Sequence, residues 1–158
     1  MQGALAIGGP DCILTATLGS CVGFCLHDRS RRIGGMTHIH QCVEDGPLGP
    51  AAVIAAAERL VNAMMARGAR RGDLIAQLCG GARTLPFGRD HGGAISAACL
   101  DYLRTEGIPV AGRDLGGGLA RRVQFWPGRG VLHVSRAEAG AGSMGAPVRG
   151  TGNAPDLF

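Results

Sequence analysis

The chain of 158 residues contains no lysine; all sixteen basic side chains are arginine. Aromatic residues are scarce as well, with one Trp, one Tyr and four Phe. Nucleic-acid binding by base stacking needs more aromatic faces than this chain supplies. The arginines are scattered over 29–32, 67–71, 83–89, 113, 121–122 and beyond. They read as a solvated basic surface, which with a net charge of +4 also steers an acidic protein partner. No apolar run reaches transmembrane length, and no basic segment followed by an apolar one opens the chain. The cytoplasm is therefore the simplest location. The Gly80-Gly81-Ala82-Arg83 segment fits neither G-x-x-x-x-G-K-[ST] nor G-x-G-x-x-G, which leaves a nucleotide reading weak. The six cysteines (12, 21, 25, 42, 79 and 99) lack paired C-x-x-C spacing. Without a secretion signal they read as reduced, most of them as small core residues.

What is present is a globular composition, 46% apolar and 18% charged, of a length that suits one domain with a sizeable core. That domain is expected over 1–137. From about 138 to 158 Gly, Ala, Pro and Ser dominate, which predicts a flexible tail. Short strands are predicted at 4–8, 12–18, 73–79 and 108–112, and a hairpin at 122–125 and 130–135 around Trp126-Pro127-Gly128-Arg129. Residues 51–67 read as a helix, with Val53, Ala56, Ala57, Leu60, Val61 and Met64 as its apolar stripe and Gly68 as its cap. A second helix is predicted over 94–106, and a loop over 43–50. Several hairpins and only two convincing helices point to an α+β fold.

The stretch from Thr15 to Cys42 organises the rest. Val22, Phe24 and Leu26 alternate with Cys21, Gly23 and Cys25, which is strand periodicity. Asp28-Arg29-Ser30-Arg31-Arg32 is a polar turn, and a second strand starts near Ile33. Met36, His38, His40 and Cys42 share one face of it. A two-residue turn places Cys21 opposite His38, a four-residue turn places it opposite His40, and a three-residue turn places Ile39 there. Cys21 also follows the small pair Gly19-Ser20, a corner where backbone N–H groups can stand beside a thiol. These are the parts of a cysteine nucleophile, a histidine base and an oxyanion hole.

A zinc site competes for the same residues. His38, His40 and Cys42 point to one face, and Cys21 or Cys25 could complete a tetrahedral set. On the residues alone, Thr15 is a β-branched strand former and Cys25 a core residue.

The stretch resembles the chemoreceptor glutamine deamidase family, CheD. The matching residues are Thr15, Leu18-Gly19-Ser20-Cys21-Val22 and Gly34-Gly35-Met36-x-His38. The resemblance implies Cys21 as nucleophile, His38 as base and Thr15, through its hydroxyl or its carbonyl, as the third member. It implies Gly19 and Ser20 as oxyanion and backbone support, and Gly80, Gly81, Gly117 and Arg121 as a substrate rim. The implied fold is a mostly antiparallel sheet sandwich with packed outer helices. The implied activity is conversion of receptor glutamines to glutamate with no metal or organic cofactor, with some hydrolysis of glutamate methyl esters. The implied partners are methyl-accepting chemoreceptors, as substrate, and the chemotaxis phosphatase CheC. A metal-binding or catalytically weak interaction module of the same fold is the alternative. The chain departs from the family's pattern after His38, at Ile95, where the family tends to carry asparagine, and at Gly118 and Leu119, where it carries asparagine and arginine.

Overall fold

The computed structural model describes residues 4–40 and 49–136. Cys42, most of the predicted 43–50 loop and the predicted 138–158 tail lie outside them. Eight strands and two helices follow in order: β1 (Leu5–Gly8), β2 (Leu14–Leu18), β3 (Val22–Asp28), β4 (Ile33–Ile39), α1 (Gly49–Ala66), β5 (Leu74–Gly80), α2 (His91–Thr105), β6 (Val110–Leu115), β7 (Arg121–Trp126) and β8 (Val131–Arg136). A single 3-10 turn, Arg71–Asp73, precedes β5. The fold is α+β. A five-stranded sheet runs β1-β4-β3-β5-β6 and a three-stranded sheet runs β2-β7-β8. All pairings are antiparallel except β5 with β6, which α2 connects as a crossover.

The layers follow from strand alternation. On β3, Val22, Phe24 and Leu26 face the two helices, where they pack with Val53, Leu60 and Leu103. The alternate residues face the three-stranded sheet, where Cys25 joins Met36, Cys79, Leu14, Leu18, Val123 and Phe125. Every residue of β3 is buried, because a central strand covered on both faces has no solvent side. Phe24 is fully buried and meets the Tyr102 ring edge-on at 6.2 Å. Burial of a side chain of this size contributes about 1.5–3 kcal/mol. The stripe expected on α1, from Val53 to Met64, is buried throughout. Gly68, at φ +96°, ends that helix while Ala69 N–H returns to the Met64 carbonyl at 3.1 Å.

The largest shifts from the expected boundaries, three residues each, are at α2 and β6. Helix α2 starts at His91, not Ala94, because Asp90 caps it by accepting the Gly93 N–H at 2.9 Å. Strand β6 runs over Val110–Leu115 instead of 108–112. The Ile108 N–H still serves the end of α2, bonding the Leu103 carbonyl at 2.9 Å, so pairing begins later.

The hairpin register is set by a buried carboxylate. Asp28 Oδ1 accepts the Ser30 hydroxyl at 2.8 Å and the Arg31 N–H at 3.1 Å, while Oδ2 accepts the Arg70 N–H at 3.0 Å. Burial alone pushes this carboxyl up, but the Arg70, Ser30 and Arg31 donors hold it below its ordinary value. The turn so formed holds Arg29 to Arg32, four residues, between the closing pair Asp28 and Ile33. That selects the register in which Gly23 faces His38 and Val22 faces Ile39.

Candidate functional site

Strand β2 belongs to one sheet and β3 to the other, so residues 19–21 form the corner between them. Backbone bonds pin this corner to the end of β5. The Gly81 N–H donates to the Cys21 carbonyl at 2.7 Å, and the Ala82 N–H to the Gly19 carbonyl at 2.9 Å. The approach is closest at Gly80, where φ is +104° and a Cβ would stand 2.2 Å from the Cys21 carbonyl oxygen. No other residue type fits there. Gly81 and Gly92 meet in the same manner, with a Cβ on Gly92 falling 2.4 Å from the Gly81 oxygen. That contact brings the N-terminus of α2 up against the corner.

Cys21 is half-buried at the open end of the space between the sheets. The β3–β4 ladder ends at Val22–Ile39; extending its register by one residue sets His40 across from Cys21 and His38 on the diagonal. Diagonal neighbours on a shared face are roughly 7–8 Å apart at the backbone, within reach of a long side chain. The intervening β3 residue is Gly23, which adds no side chain of its own; Leu18 and Cys79 close in over it, 3.0 and 3.1 Å from where a Cβ would stand. Both ring nitrogens of His38 are shielded from solvent, and its ring meets that of His40 edge-on at 5.8 Å.

Burial sets the protonation of both groups. It pushes the Cys21 thiol up, against the opposing pull of its own N–H and the Ser20 hydroxyl. It pushes His38 down, and the neighbouring His40 adds to that. Both shifts favour a neutral thiol beside a neutral imidazole over an ion pair.

The remaining expected residues fall in different places. Thr15 is half-buried on β2, paired with Gln124. Leu14, Ala16 and Leu18 point into the inter-sheet core, so alternation puts the Thr15 hydroxyl on the outer face. That turns the hydroxyl, one of the two groups the resemblance offers for a third member, away from the layer that holds His38. Gly80 and Gly81 are buried and support the corner from beneath, where a surface rim was expected. Arg121 is 3% exposed, with its guanidinium committed to Asp114 at 3.0 Å and to the Gly116 carbonyl at 2.7 Å. The expectation of a substrate-facing cation there is corrected: a buried guanidinium must be paired, and this one is. Gly117 is exposed on the loop before β7.

Sequence reasoning missed the outer wall. Residues 82–85 and 87–92, with Ser20, line an open cavity of about 310 Å³ beside the corner. Its loop presents Leu85 at 60% and Phe87 at 73% exposure, flanked by Arg83 and Arg89. Two large apolar residues in a Gly-, Pro- and Arg-rich loop were the available signal. The departures from the family pattern also separate. Ile95 is buried in the helix-facing core, whereas Gly118 and Leu119 are exposed.

Among the described residues no group of three His, Cys, Asp or Glu side chains is placed to hold a metal, and Cys42 lies outside them. Five cysteines, 12, 21, 25, 79 and 99, are free thiols. Among the described residues no helix is long and apolar enough to cross a membrane.

The protein-family model described as CheD chemotactic sensory transduction matches residues 53–136. A relative from Jannaschia sp. (strain CCS1) is 40% identical over 157 residues, covering 93% of this chain and 89% of its own length. The chain belongs to the CheD family. A CheD relative from Caulobacter sp. (strain K31) is 35% identical, covering 94% of this chain and 84% of its own length. One from Caulobacter vibrioides is 39% identical over 125 residues, 77% of this chain. Each carries the name "Probable chemoreceptor glutamine deamidase CheD". The CheD family model begins inside α1, after the Cys21 hairpin. The Jannaschia alignment includes that hairpin, because 93% coverage leaves only about 11 of the 158 residues outside.

Proposed function

We propose that this protein is a cytoplasmic protein-glutamine deamidase acting on methyl-accepting chemoreceptors, with Cys21 as nucleophile and His38 as general base. The observation that carries this reading is the Cys21–Gly23–His38 arrangement: a half-buried thiol and a shielded imidazole on one face, with a glycine as the β3 residue between them. The relatives' shared name supplies the substrate class.

The chemistry starts from the neutral pair. As the sulfur attacks the carboxamide carbon of a substrate glutamine, His38 takes the thiol proton. The carbonyl electrons move to oxygen, and backbone N–H groups of the Ser20–Cys21 corner receive the oxyanion. His38 then gives its proton to the leaving nitrogen, ammonia departs, and a thioester remains. A water molecule, deprotonated by His38, attacks the thioester carbon. The C–S bond breaks, the sulfur recovers the proton, and glutamate is released. Glutamine and water have become glutamate and ammonium, with no redox change and no cofactor. A glutamate methyl ester presents the same carbonyl and would leave methanol instead.

The Thr15 carbonyl orients His38 in this scheme. The loop carrying Leu85 and Phe87 forms the docking wall, with Arg83 and Arg89 suited to acidic residues beside the target glutamine. CheC is the proposed phosphatase partner of the same face. Each turnover makes a neutral receptor side chain negative, which changes the electrostatics of the receptor bundle.

Ammonia release from a receptor cytoplasmic fragment tests the reading. Wild type should release ammonia with or without chelator, and Cys21→Ala should not. Full release by Cys21→Ala would sink it, and loss on chelation would move the site to a metal.

A further inference from the structure

A guanidinium buried to 3% exposure needs an acceptor for nearly every N–H, and Arg121 finds them on three residues. Its Nε and Nη2 donate to Asp114 Oδ1 at 3.1 and 3.0 Å. Its Nη2 also donates to the Gly116 carbonyl at 2.7 Å, and its Nη1 to the Leu119 carbonyl at 3.3 Å.

The position of this cluster is as informative as its bonds. Arg121 opens β7 in the three-stranded sheet, directly across from Leu18, the last residue before the 19–21 corner. Asp114 lies at the end of β6 in the five-stranded sheet, level with Cys79. One side chain therefore ties the ends of both sheets where the corner passes between them. From there the bonds continue inward. The Gly116 N–H reaches the Gly80 carbonyl at 3.0 Å, and the Arg83 N–H reaches the Gly117 carbonyl at 2.8 Å. Gly81 and Ala82, between those two, hold the Cys21 and Gly19 carbonyls. The path from guanidinium to nucleophile backbone has no gap.

The geometry points to Arg121 as a positioning residue for Cys21: clamped by Asp114, it braces the two sheets so that the 19–21 corner holds its thiol in line with His38. This rests on the reading of Cys21 as the nucleophile. Arg121 need touch no substrate atom. Lysine cannot replace it, because a single ammonium on a flexible stem lacks the planar fork that reaches Asp114, Gly116 and Leu119 together. Arg136 also donates to Asp114 Oδ1, at 2.5 Å, but its side chain is 52% exposed. It sits on the outside of the clamp and holds no loop carbonyl in the cluster.

The test uses the full chain with Arg121→Lys, Asp114→Asn and Arg136→Gln, each studied well below its own melting temperature. Two properties are measured. One is the pH dependence of Cys21 alkylation by iodoacetamide, read on the Cys21 peptide by mass spectrometry. The other is deamidation of a receptor cytoplasmic fragment. Arg121→Lys and Asp114→Asn should slow alkylation and move its midpoint up, as the Ser20 hydroxyl and Cys21 N–H contacts loosen. They should lower kcat about tenfold or more with KM nearly unchanged, since small misplacements of a reacting group are costly. Arg136→Gln should match wild type in both. If Arg121→Lys fails to fold, Asp114→Asn, which keeps the shape and removes only the charge, carries the comparison. Folded variants that melt earlier yet keep the wild-type alkylation profile and kcat would overturn the proposal and leave a purely structural ion pair. If wild type itself releases no ammonia, the deamidase reading fails, while the alkylation comparison still decides the brace.

Discussion

The space between the two sheets carries a histidine at each end, and the ends are built differently. His27 and His38 face the same layer, one near the end of β3 and the other near the end of β4. At the His27 end the Nδ1–H donates to the Pro127 carbonyl at 2.7 Å, which locks the turn between β7 and β8 over the core. Gly130 packs so closely that a Cβ there would stand 2.5 Å from the imidazole. At the His38 end the neighbours are Gly23, half-buried Cys21 and exposed His40. The same side chain on the same face is tied to a turn carbonyl at one end and at the other stands at the end proposed to carry the chemistry. The difference comes from what the connecting segments bring to each end: a turn carbonyl at one, a glycine-supported thiol at the other.

The strongest way to break this comparison is to remove each histidine. His38→Ala should lower kcat for deamidation by about 10²–10⁴-fold, the usual worth of a general base, with little change in melting temperature. His27→Ala should do the reverse. It leaves the Pro127 carbonyl without its donor and costs about 1–3 kcal/mol in urea unfolding, while kcat stays within about twofold. Equal kinetic losses in both variants would erase the distinction. The pH profile sharpens it. With His38 held below its ordinary value by burial and by His40, the acid limb of kcat/KM should fall at a pH below that of an unperturbed histidine.

Next in size is the support of the open end. Gly80→Ala forces a side chain into the Cys21 carbonyl at a positive φ, which should cost about 1–3 kcal/mol and displace the corner. Thermal melting and Cys21 alkylation, measured together, should both change. Asp28→Asn acts on the hairpin that places both histidines. Replacing a carboxylate that accepts three donors should cost about 1.5–3 kcal/mol at neutral pH. Because the folded carboxyl lies below its unfolded value, its contribution is present above the unfolded value and fades as pH falls through the folded one. The gap between wild type and Asp28→Asn should therefore narrow in acid. The smallest effect is expected at the outer wall, where Phe87→Ser should raise KM a few-fold (about 1 kcal/mol) without altering melting, since the ring is 73% exposed.

Much of this was legible in the residues. The alternation of Val22, Phe24 and Leu26 against Cys21, Gly23 and Cys25 announced a strand, and the polar run after it announced a turn. The α1 stripe was readable because burial on a helix recurs every three to four residues. Arg121 was misread because a glycine-rich loop ending in arginine looks the same in sequence whether the guanidinium faces solvent or Asp114. The start of α2 was misplaced because Gly92 and Gly93 count against a helix locally, while the contact of Gly92 with Gly81 is invisible until the chain is folded. Leu85 and Phe87 had no periodicity to mark them.

By itself, the sequence determined which residues form strands and helices, which faces are apolar, and that a thiol follows a small pair near two histidines. These are local properties, encoded within a few positions of one another. Tertiary structure decided which histidine lies diagonal to the thiol, because the turn length depends on Asp28 reaching the Arg70 N–H, 42 residues away. It also decided that Gly80 and Gly81 carry the corner and that Arg121 spans both sheets. Each depends on groups distant in sequence meeting in a space too tight or too dry for an alternative, and no local pattern records such meetings.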